Sequence, residues 1–498
     1  MKLGFMIKTL AVLLSACLFF VVAGCSGNVD DSSTLNKENG TASFVTSANI
    51  TAETQTSKMY SSNDTDSSWS EADAKAIISL NGNSINIVGS SARANDTTLT
   101  ITSGGLYIIS GTLDNGQIQI SAPSTDTVRI VLNGVTITNK TSATIYSLQA
   151  KKLILTLADN TENTITDAEN YIYSNTAVDE PDAAIFARDD LTINGTGSLT
   201  INGNFKNGIG TKDNLLIVSG TYNITAENDA MRGRDSVAVM DGTLTLHAGN
   251  DGIRSNNDGD KTKGWILLEN GTFDITAGND GIQAETTLTI ANGSYRLITG
   301  GGSTSVKKSA KDSFMGLKSK TKINILDGEF NIDSADDTIH SNENVNISGG
   351  KLSLASGDDG IHTAADLTIS NGEIIITTCY EGLEASTITI SGGDITITST
   401  DDGINLAGGN SDEEEGRFGH DQFKVDASKN LLISGGTVTI YAGRDAIDSN
   451  GTAEMTGGIV NLTAAMLGEG ETIDTNGSWT QSGGELMESG GNGIRFPR

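Results

Sequence analysis

An acidic residue, a glycine and an isoleucine recur in tandem through the second half of this chain, and the near-constant interval between them limits the fold more than any other feature. The phrase reads Asp251-Gly252-Ile253, Asp280-Gly281-Ile282, Asp359-Gly360-Ile361 and Asp402-Gly403-Ile404, with variants at Asp229-Ala230-Met231, Asp337-Thr338-Ile339, Glu381-Gly382-Leu383 and Asp445-Ala446-Ile447. Asp229 to Asp251, Asp337 to Asp359 and Asp359 to Glu381 are each 22 residues apart, and Glu381 to Asp402 is 21. Self-similarity at such a period marks an array in which each repeat covers its neighbour's apolar face. Length then counts coils, so 498 residues need not imply several globular domains.

The coil from Asp359 to Tyr380 sets the proportion. Ile361 opens a short strand, Leu367-Thr368-Ile369 makes a second, Asn371-Gly372 turns, and Ile374-Ile375-Ile376 makes a third. Three strands and three turns per 22 residues is the proportion of a three-faced parallel β-helix, and the fold class is accordingly all-β. The 59 glycines, the scarcity of proline and aromatic residues and the lack of a long helix-forming stretch agree. Stacking the coils puts Leu352, Ile374, Ile395 and Val438 in one inward column and Leu354, Ile376, Ile397 and Ile440 in another. A one-residue slip would expose both, so register is strongly specified. The turn pairs Gly349-Gly350, Gly392-Gly393, Gly435-Gly436 and Gly457-Gly458 are expected to supply positive φ.

Around this array the chain divides into segments. Lys2 and Lys8 precede a charge-free apolar run that ends in Val22-Ala23-Gly24-Cys25, which resembles a bacterial lipoprotein signal: residues 1–24 would be removed and Cys25 lipidated. The expected location is therefore the cell membrane, lipid-anchored and extracytoplasmic. The run is short for a membrane span. Residues 25–70, rich in Ser, Thr, Asn and Asp, read as a disordered tether, with Trp69 placed to cap the first coil. Residues 71–182 alternate apolar and polar over short runs and read as a cap with irregular early coils. Residues 183–498 read as the regular solenoid, with insertions near 300–313 and 407–430. Cys379, at a strand end, reads as a small packing residue.

Charge narrows the partners. With 62 Asp and Glu against 32 Lys and Arg, the formal net charge is −30, which argues against a nucleic-acid partner and favours cations. Adjacent coils of paired strands lie about 4.8 Å apart. Two carboxylates that close repel by about 3 kcal/mol at an effective dielectric near 20. A column of acids on turns near solvent therefore calls for bound cations, and most coils double the oxygen supply just before the glycine. Asp229, Asp251, Asp280, Asp336, Asp337, Asp358, Asp359, Asp401 and Asp402 are the candidate metal ligands, and hard oxygen donors with few histidines select Ca2+ over zinc or iron. The competing reading is an Asn/Asp ladder in which each side chain caps its own turn.

The residue after the isoleucine forms an outward column: Arg232, Arg254, Gln283, Lys318, His340, His362, Glu384, Asn405, Asp448, basic early and acidic late. Arg232, Arg254 and Lys318, with Lys307 and Lys308 of the first insertion, are the candidate contacts to an acidic sugar polymer. His340 and His362 are expected to stack in solvent. The acidic run Asp412 to Glu415 reads as a solvated loop.

Ala183-Ala184-Ile185, the Leu191 to Gly197 turn, Arg232-Gly233-Arg234-Asp235, Gly281 to Glu285, Asp336 to Asn342, Asp358 to His362, Tyr380 to Glu384 and Asp401 to Asn405 together resemble a family of secreted bacterial carbohydrate-binding-domain proteins. The resemblance covers nearly all of residues 75–495 and lies in the order and spacing of the motifs. It implies a pectate-lyase-like right-handed parallel β-helix that carries calcium and binds cellulose and acidic polymers such as polygalacturonate. Met315-Gly316-Leu317, which lacks the acid, and Arg444-Asp445 depart from the pattern. The leading expectation is a surface-anchored, monomeric, calcium-containing polysaccharide-binding protein. A calcium-dependent polysaccharide lyase stays open, although no catalytic constellation stands out, as does an adhesive stalk.

Overall fold

The computed structural model describes residues 59–175, 177, 179–305, 313–406, 424–465 and 470–491. The signal segment, Cys25, the tether up to residue 58, Lys307, Lys308 and the acidic run 412–415 lie outside these residues.

The described chain is almost entirely short strands, assembled into one 16-stranded and one 30-stranded sheet. From Lys152 onward the pairing is parallel and repeats coil by coil. In the coil that begins at Asp359, Ile361–Thr363 pairs with Ile339–Ser341 of the coil before, Asp366–Ile369 with Asn344–Ile347, and Glu373–Thr378 with Lys351–Ser356. Three columns of strands result. The shorter sheet is one column, and the longer sheet carries the other two. These meet at Thr127–Thr138, whose first half pairs with Lys152–Leu157 and whose end pairs with Glu162–Thr166. Before that fork the stack is closed by antiparallel hairpins, Ala74–Gly82 with Ile85–Gly89 and Ala92–Asn95 with Thr98–Ile101. Hairpins of this kind keep the first parallel edge from offering itself to another chain.

The aliphatic columns hold the stack together. Leu352, Ile374, Ile395 and Val438 are in direct register, as are Leu354, Ile376, Ile397 and Ile440, and all are fully buried. Each such side chain contributes about 1.5–3 kcal/mol by leaving water. An aromatic segment interrupts the first of these columns earlier in the chain: Phe273, Tyr295 and Phe330 stack with ring centroids 4.7 Å apart, and the Tyr295 hydroxyl donates to the Asn292 carbonyl.

Two glycine expectations change. In each turn pair only the second residue has positive φ, for example Gly350 at 92° and Gly393 at 94°. The first is required by proximity instead: a Cβ on Gly349 would lie 2.4 Å from the Leu326 carbonyl oxygen of the preceding coil. The glycine of the acid-Gly-Ile phrase is likewise a packing residue, since a Cβ on Gly360 would meet the Gly382 carbonyl and Ile376 at 2.6 Å.

Packed structure is also present before residue 71. Met59 and Tyr60 pack on Leu216, Ala238 and Leu267 on the outside of the long sheet, and a single helical turn, Ser62–Thr65, follows. Its Asp64 is fully buried against Lys152, Thr192 and Asn194, accepting from the Lys152 ammonium at 2.8 Å. The polar composition that suggested a tether concealed this anchoring carboxylate. Trp69 packs beside Ile108 and Val131 on the flank of the stack and not across its end. Cys379 is buried, and burial pushes its thiol up to about 12.

Candidate functional site

The acidic column runs along one edge of the shorter sheet, where each coil turns into its three-residue strand. Its members are not near solvent as their turn positions suggested: Asp229, Asp251 and Asp280 are each 1% exposed, and Asp337, Asp359, Asp402 and Asp445 are also buried. The two carboxylate oxygens divide the work. Oδ1 accepts the backbone N–H of the acid in the next coil: Asp229 from Asp251, Asp251 from Asp280, Asp337 from Asp359, Asp359 from Glu381 and Asp402 from Asp445, at 3.0–3.3 Å. Asn207 starts the ladder by accepting from the Asp229 N–H, and Asp280 bridges the acid-free coil by accepting from the Met315 N–H. The side chains thus cap the following coil and not their own turns. An amide oxygen could do that much, as Asn207 does; the need for a carboxylate lies with the second oxygen.

Oδ2 faces the outward column, three residues on in the same coil or one coil further. Strand pairing places Arg232, Arg254, Gln283, Lys318, His340, His362, Glu384, Asn405 and Asp448 in one continuous register. In the early coils this column supplies cations. The Arg254 guanidinium lies 3.3 Å from Asp251 Oδ2 and 3.9 Å from Asp229 Oδ2, and the Lys318 ammonium lies 3.2 Å from Asp280 Oδ2. Arg232 turns to Asp182, at 2.8 Å. Of the five basic residues expected to read a ligand, the three described ones are therefore engaged with the protein's own carboxylates. Asp229 Oδ2 and Arg254 Nε remain buried without a hydrogen bond.

Histidines take over in the middle. His340 Nδ1 is 2.8 Å from Asp337 Oδ2, and the two imidazoles meet edge to face with centroids 4.8 Å apart. They are not stacked in solvent: His340 is partly buried and His362 buried. Burial works against the His362 cation, but its contacts with Asp337 and the charges of Glu384 and Glu381 raise its pKa to about 9. Burial likewise opposes the Asp337 anion, and the two imidazoles still hold its carboxyl below the ordinary range.

After His362 the outward column supplies no further cation, and among the described residues the late acids have His362 at 3.4 Å from Glu384 and Arg444 at 3.7 Å from Asp445. Glu384, Asn405 and Asp448 occupy the outward positions, and among the described residues no Lys, Arg or His comes within 4.0 Å of a carboxylate oxygen of Glu381, Asp402 or Asp448. Burial, reinforced by neighbouring acids, raises Glu381 to about 8, Asp448 to about 7 and Asp402 to about 6. Two oxygen-only groups, Glu381 with Asp401 and Asp402, and Asp402 with Asp445 and Asp448, bring one carboxylate oxygen per residue within 4.8 Å of one another; Asp336, Asp337 and Asp358 form a third. Carboxylate oxygens grouped this closely are donors of the kind that could hold Ca2+, which takes oxygen ligands at about 2.3–2.6 Å.

The same outward column begins with aromatic rings. Gln119, Tyr146, Phe186 and Gly210 precede Arg232 in register. Tyr171, Tyr173 and Phe205, none fully buried, gather over this end: Tyr171 and Phe205 stack at 4.3 Å and Tyr173 packs edge-on to both. In sequence these rings are scattered, and only the fold brings them together.

A family model described as "Carbohydrate-binding domain-containing protein" matches residues 95–360. A curated relative with the same description, from Acetivibrio thermocellus, is 44% identical over 126 residues, which is 25% of this chain and 44% of the relative. The match therefore spans less than half of that relative's length. A solved structure titled as a polysaccharide lyase-like protein from C. thermocellum, in a gadolinium derivative, is 36% identical with a TM-score of 0.45, covering 46% of this chain and 92% of its own.

Proposed function

Because this chain belongs to the carbohydrate-binding-domain family, we propose that it is a surface-anchored polysaccharide-binding protein that carries calcium, built as a right-handed parallel β-helix and held to the membrane by a lipid on Cys25. The outward column of the short sheet is the face that takes the polymer. Its order carries the proposal: aromatic rings, then basic residues, then histidines, then the acidic and amide residues Glu384, Asn405 and Asp448. Sugar rings suit the aromatic end. At the acidic end Glu381, Asp401, Asp402, Asp445 and Asp448 would hold calcium, and the ion supplies positive charge that a uronate can share. Acidic, uronate-containing plant polymers are thus favoured over neutral cellulose.

Retention on insoluble polygalacturonate and on cellulose, each with Ca2+ and with chelator, tests this. Retention on polygalacturonate that chelator abolishes is expected. Failure to bind any polymer would favour a spacer stalk. Release of unsaturated uronates, followed by ultraviolet absorbance, would replace the binding reading with a calcium-dependent lyase.

A further inference from the structure

We propose that the middle of the outward column is a divalent transition-metal site of the zinc type, with His362 Nδ1, Asp359 and Glu384 as its donors and Asp337, held by His340, as the carboxylate beside them. The proposal is independent of the calcium reading. It reassigns Asp359 to a nitrogen-containing donor set and leaves the three oxygen-only groups untouched.

The distances carry it. His362 Nδ1 lies 3.4 Å from Glu384 Oε2, 3.5 Å from Asp337 Oδ2 and 3.6 Å from Asp359 Oδ2. These are too long for good hydrogen bonds, whose N···O separations are about 2.7–3.2 Å. Such a bond exists next door, where His340 Nδ1 meets Asp337 at 2.8 Å. Around a tetrahedral zinc with bonds of about 2.0–2.1 Å, neighbouring ligand atoms stand about 3.3–3.4 Å apart. His362 is therefore spaced from the Asp359 and Glu384 oxygens as one ligand is from the others around a single ion. Ligand atoms of Asp359, His362 and Glu384 lie within 4.8 Å of one another, as do those of Asp337, His340 and His362.

Charge points the same way. A single N–H on Nδ1 can be directed at only one of the three carboxylates, leaving the other two facing each other across a site whose side chains are 5–16% exposed. A divalent ion engages Asp359 and Glu384 together and leaves Asp337 to His340. Imidazole nitrogen selects zinc, nickel or copper over calcium, which prefers oxygen alone. The surroundings orient the imidazole: His340 meets the His362 ring edge to face and is itself held by Asp337 at 2.8 Å through Nδ1 and by Asn342 at 3.2 Å through Nε2. Strand register sets His340, His362 and Glu384 in successive coils, so the fold assembles the donors.

The test uses the full chain, stripped of metal, with Co2+ as the probe because its visible ligand-field spectrum reports nitrogen and oxygen coordination directly. One Co2+ per chain is expected to give an intense tetrahedral-type spectrum that Zn2+ abolishes and that excess Ca2+ leaves unchanged. His362→Ala should weaken Co2+ binding at least about a hundredfold, Glu384→Gln should weaken it, and His340→Ala should weaken it about 10–100-fold as a positioning residue. Asp445→Asn should leave it intact. Circular dichroism of each metal-free variant should match the parent, and Glu384→Gln, which keeps side-chain shape, stands in if His362→Ala misfolds. No spectrum, displacement of Co2+ by Ca2+ at matched concentration, or full binding by both His362→Ala and Glu384→Gln would overturn the proposal.

Discussion

The coils carrying Asp229 to Asp280 and those carrying Glu381 to Asp448 share one backbone plan and solve the same electrostatic problem in opposite ways. In both, an acid accepts the N–H of the acid one coil on, and in both most of these acids are buried. Early on, Arg254 and Lys318 neutralise the second oxygen from within the chain. Later, Glu384, Asn405 and Asp448 stand where those cations stood, and beyond Arg444 beside Asp445 and His362 beside Glu384 the remaining charge is left to protons or to an ion in solution. One fold can thus make a closed structural ladder or an open, ion-responsive one by changing the residue three positions after the acid. The family match ends at residue 360, before the open part begins.

The sharpest way to break the comparison is to open the closed half. Arg254→Met removes the guanidinium from two buried carboxylates, Asp251 and Asp229. Breaking a buried pair costs about 3–5 kcal/mol, and with Arg254 about a third exposed the expectation is nearer 2–3 kcal/mol. Hydrogen exchange should show this loss confined to the coils around residues 229–284, because a stacked array loses stability locally. Unchanged exchange there would mean that the early acids do not need their cation.

Calcium should act on the other half. A ligand bound only by the folded state stabilises it by about 2.7 kcal/mol at a hundredfold excess over its Kd. Added Ca2+ should slow amide exchange at Glu381, Asp402, Asp445 and their neighbours and leave Asp229 to Asp280 unaffected. Equal protection in both halves would erase the distinction drawn here.

The acid column, its outward neighbour and the inward aliphatic columns were all legible in the sequence, because a stacked coil turns a linear period directly into spatial register. Leu352 to Val438 fell into place for that reason. What the period could not show was depth. Turn positions suggested solvent, whereas the acids are buried beneath the edge, and Arg254 and Lys318 looked free to meet a ligand when they were already paired. Nor could it show contacts made by non-repeating segments. Asp64 reaches Thr192 across 128 residues, and Tyr171, Tyr173 and Phe205 converge from a loop and a turn with no common spacing.

pH distinguishes the halves more gently. In metal-free protein, burial raises Glu381 to about 8 and Asp402 to about 6, above the ordinary carboxyl values of 4.5 and 3.8. Between those limits the folded state binds more protons than the unfolded one, so stability is greatest below about pH 4 to 5 for these groups and declines as pH rises toward 8. The decline should be about 1–2 kcal/mol once partial solvent screening is allowed for. It should shrink when saturating Ca2+ replaces the protons. A metal-free stability that rises over the same window, followed by urea unfolding, would contradict it.

The smallest effect is the most discriminating, because its sign depends on the ion. Asp448→Asn removes one of three carboxylates that crowd together with Asp402 and Asp445. Without metal at neutral pH it should stabilise the late coils by about 1 kcal/mol, by relieving like-charge repulsion and the burial that already pushes Asp448 up to about 7. With calcium present, the same change takes away an oxygen ligand, so the thermal shift on adding Ca2+ should fall below that of the parent. The mirror substitution Gln283→Glu, in the early half, places an acid next to Lys318 and Arg254 in register and should confer no calcium response. If Asp448→Asn destabilised the metal-free protein, the crowded carboxylates would have to be mutually satisfied through shared protons, and the late half would be closed in its own way.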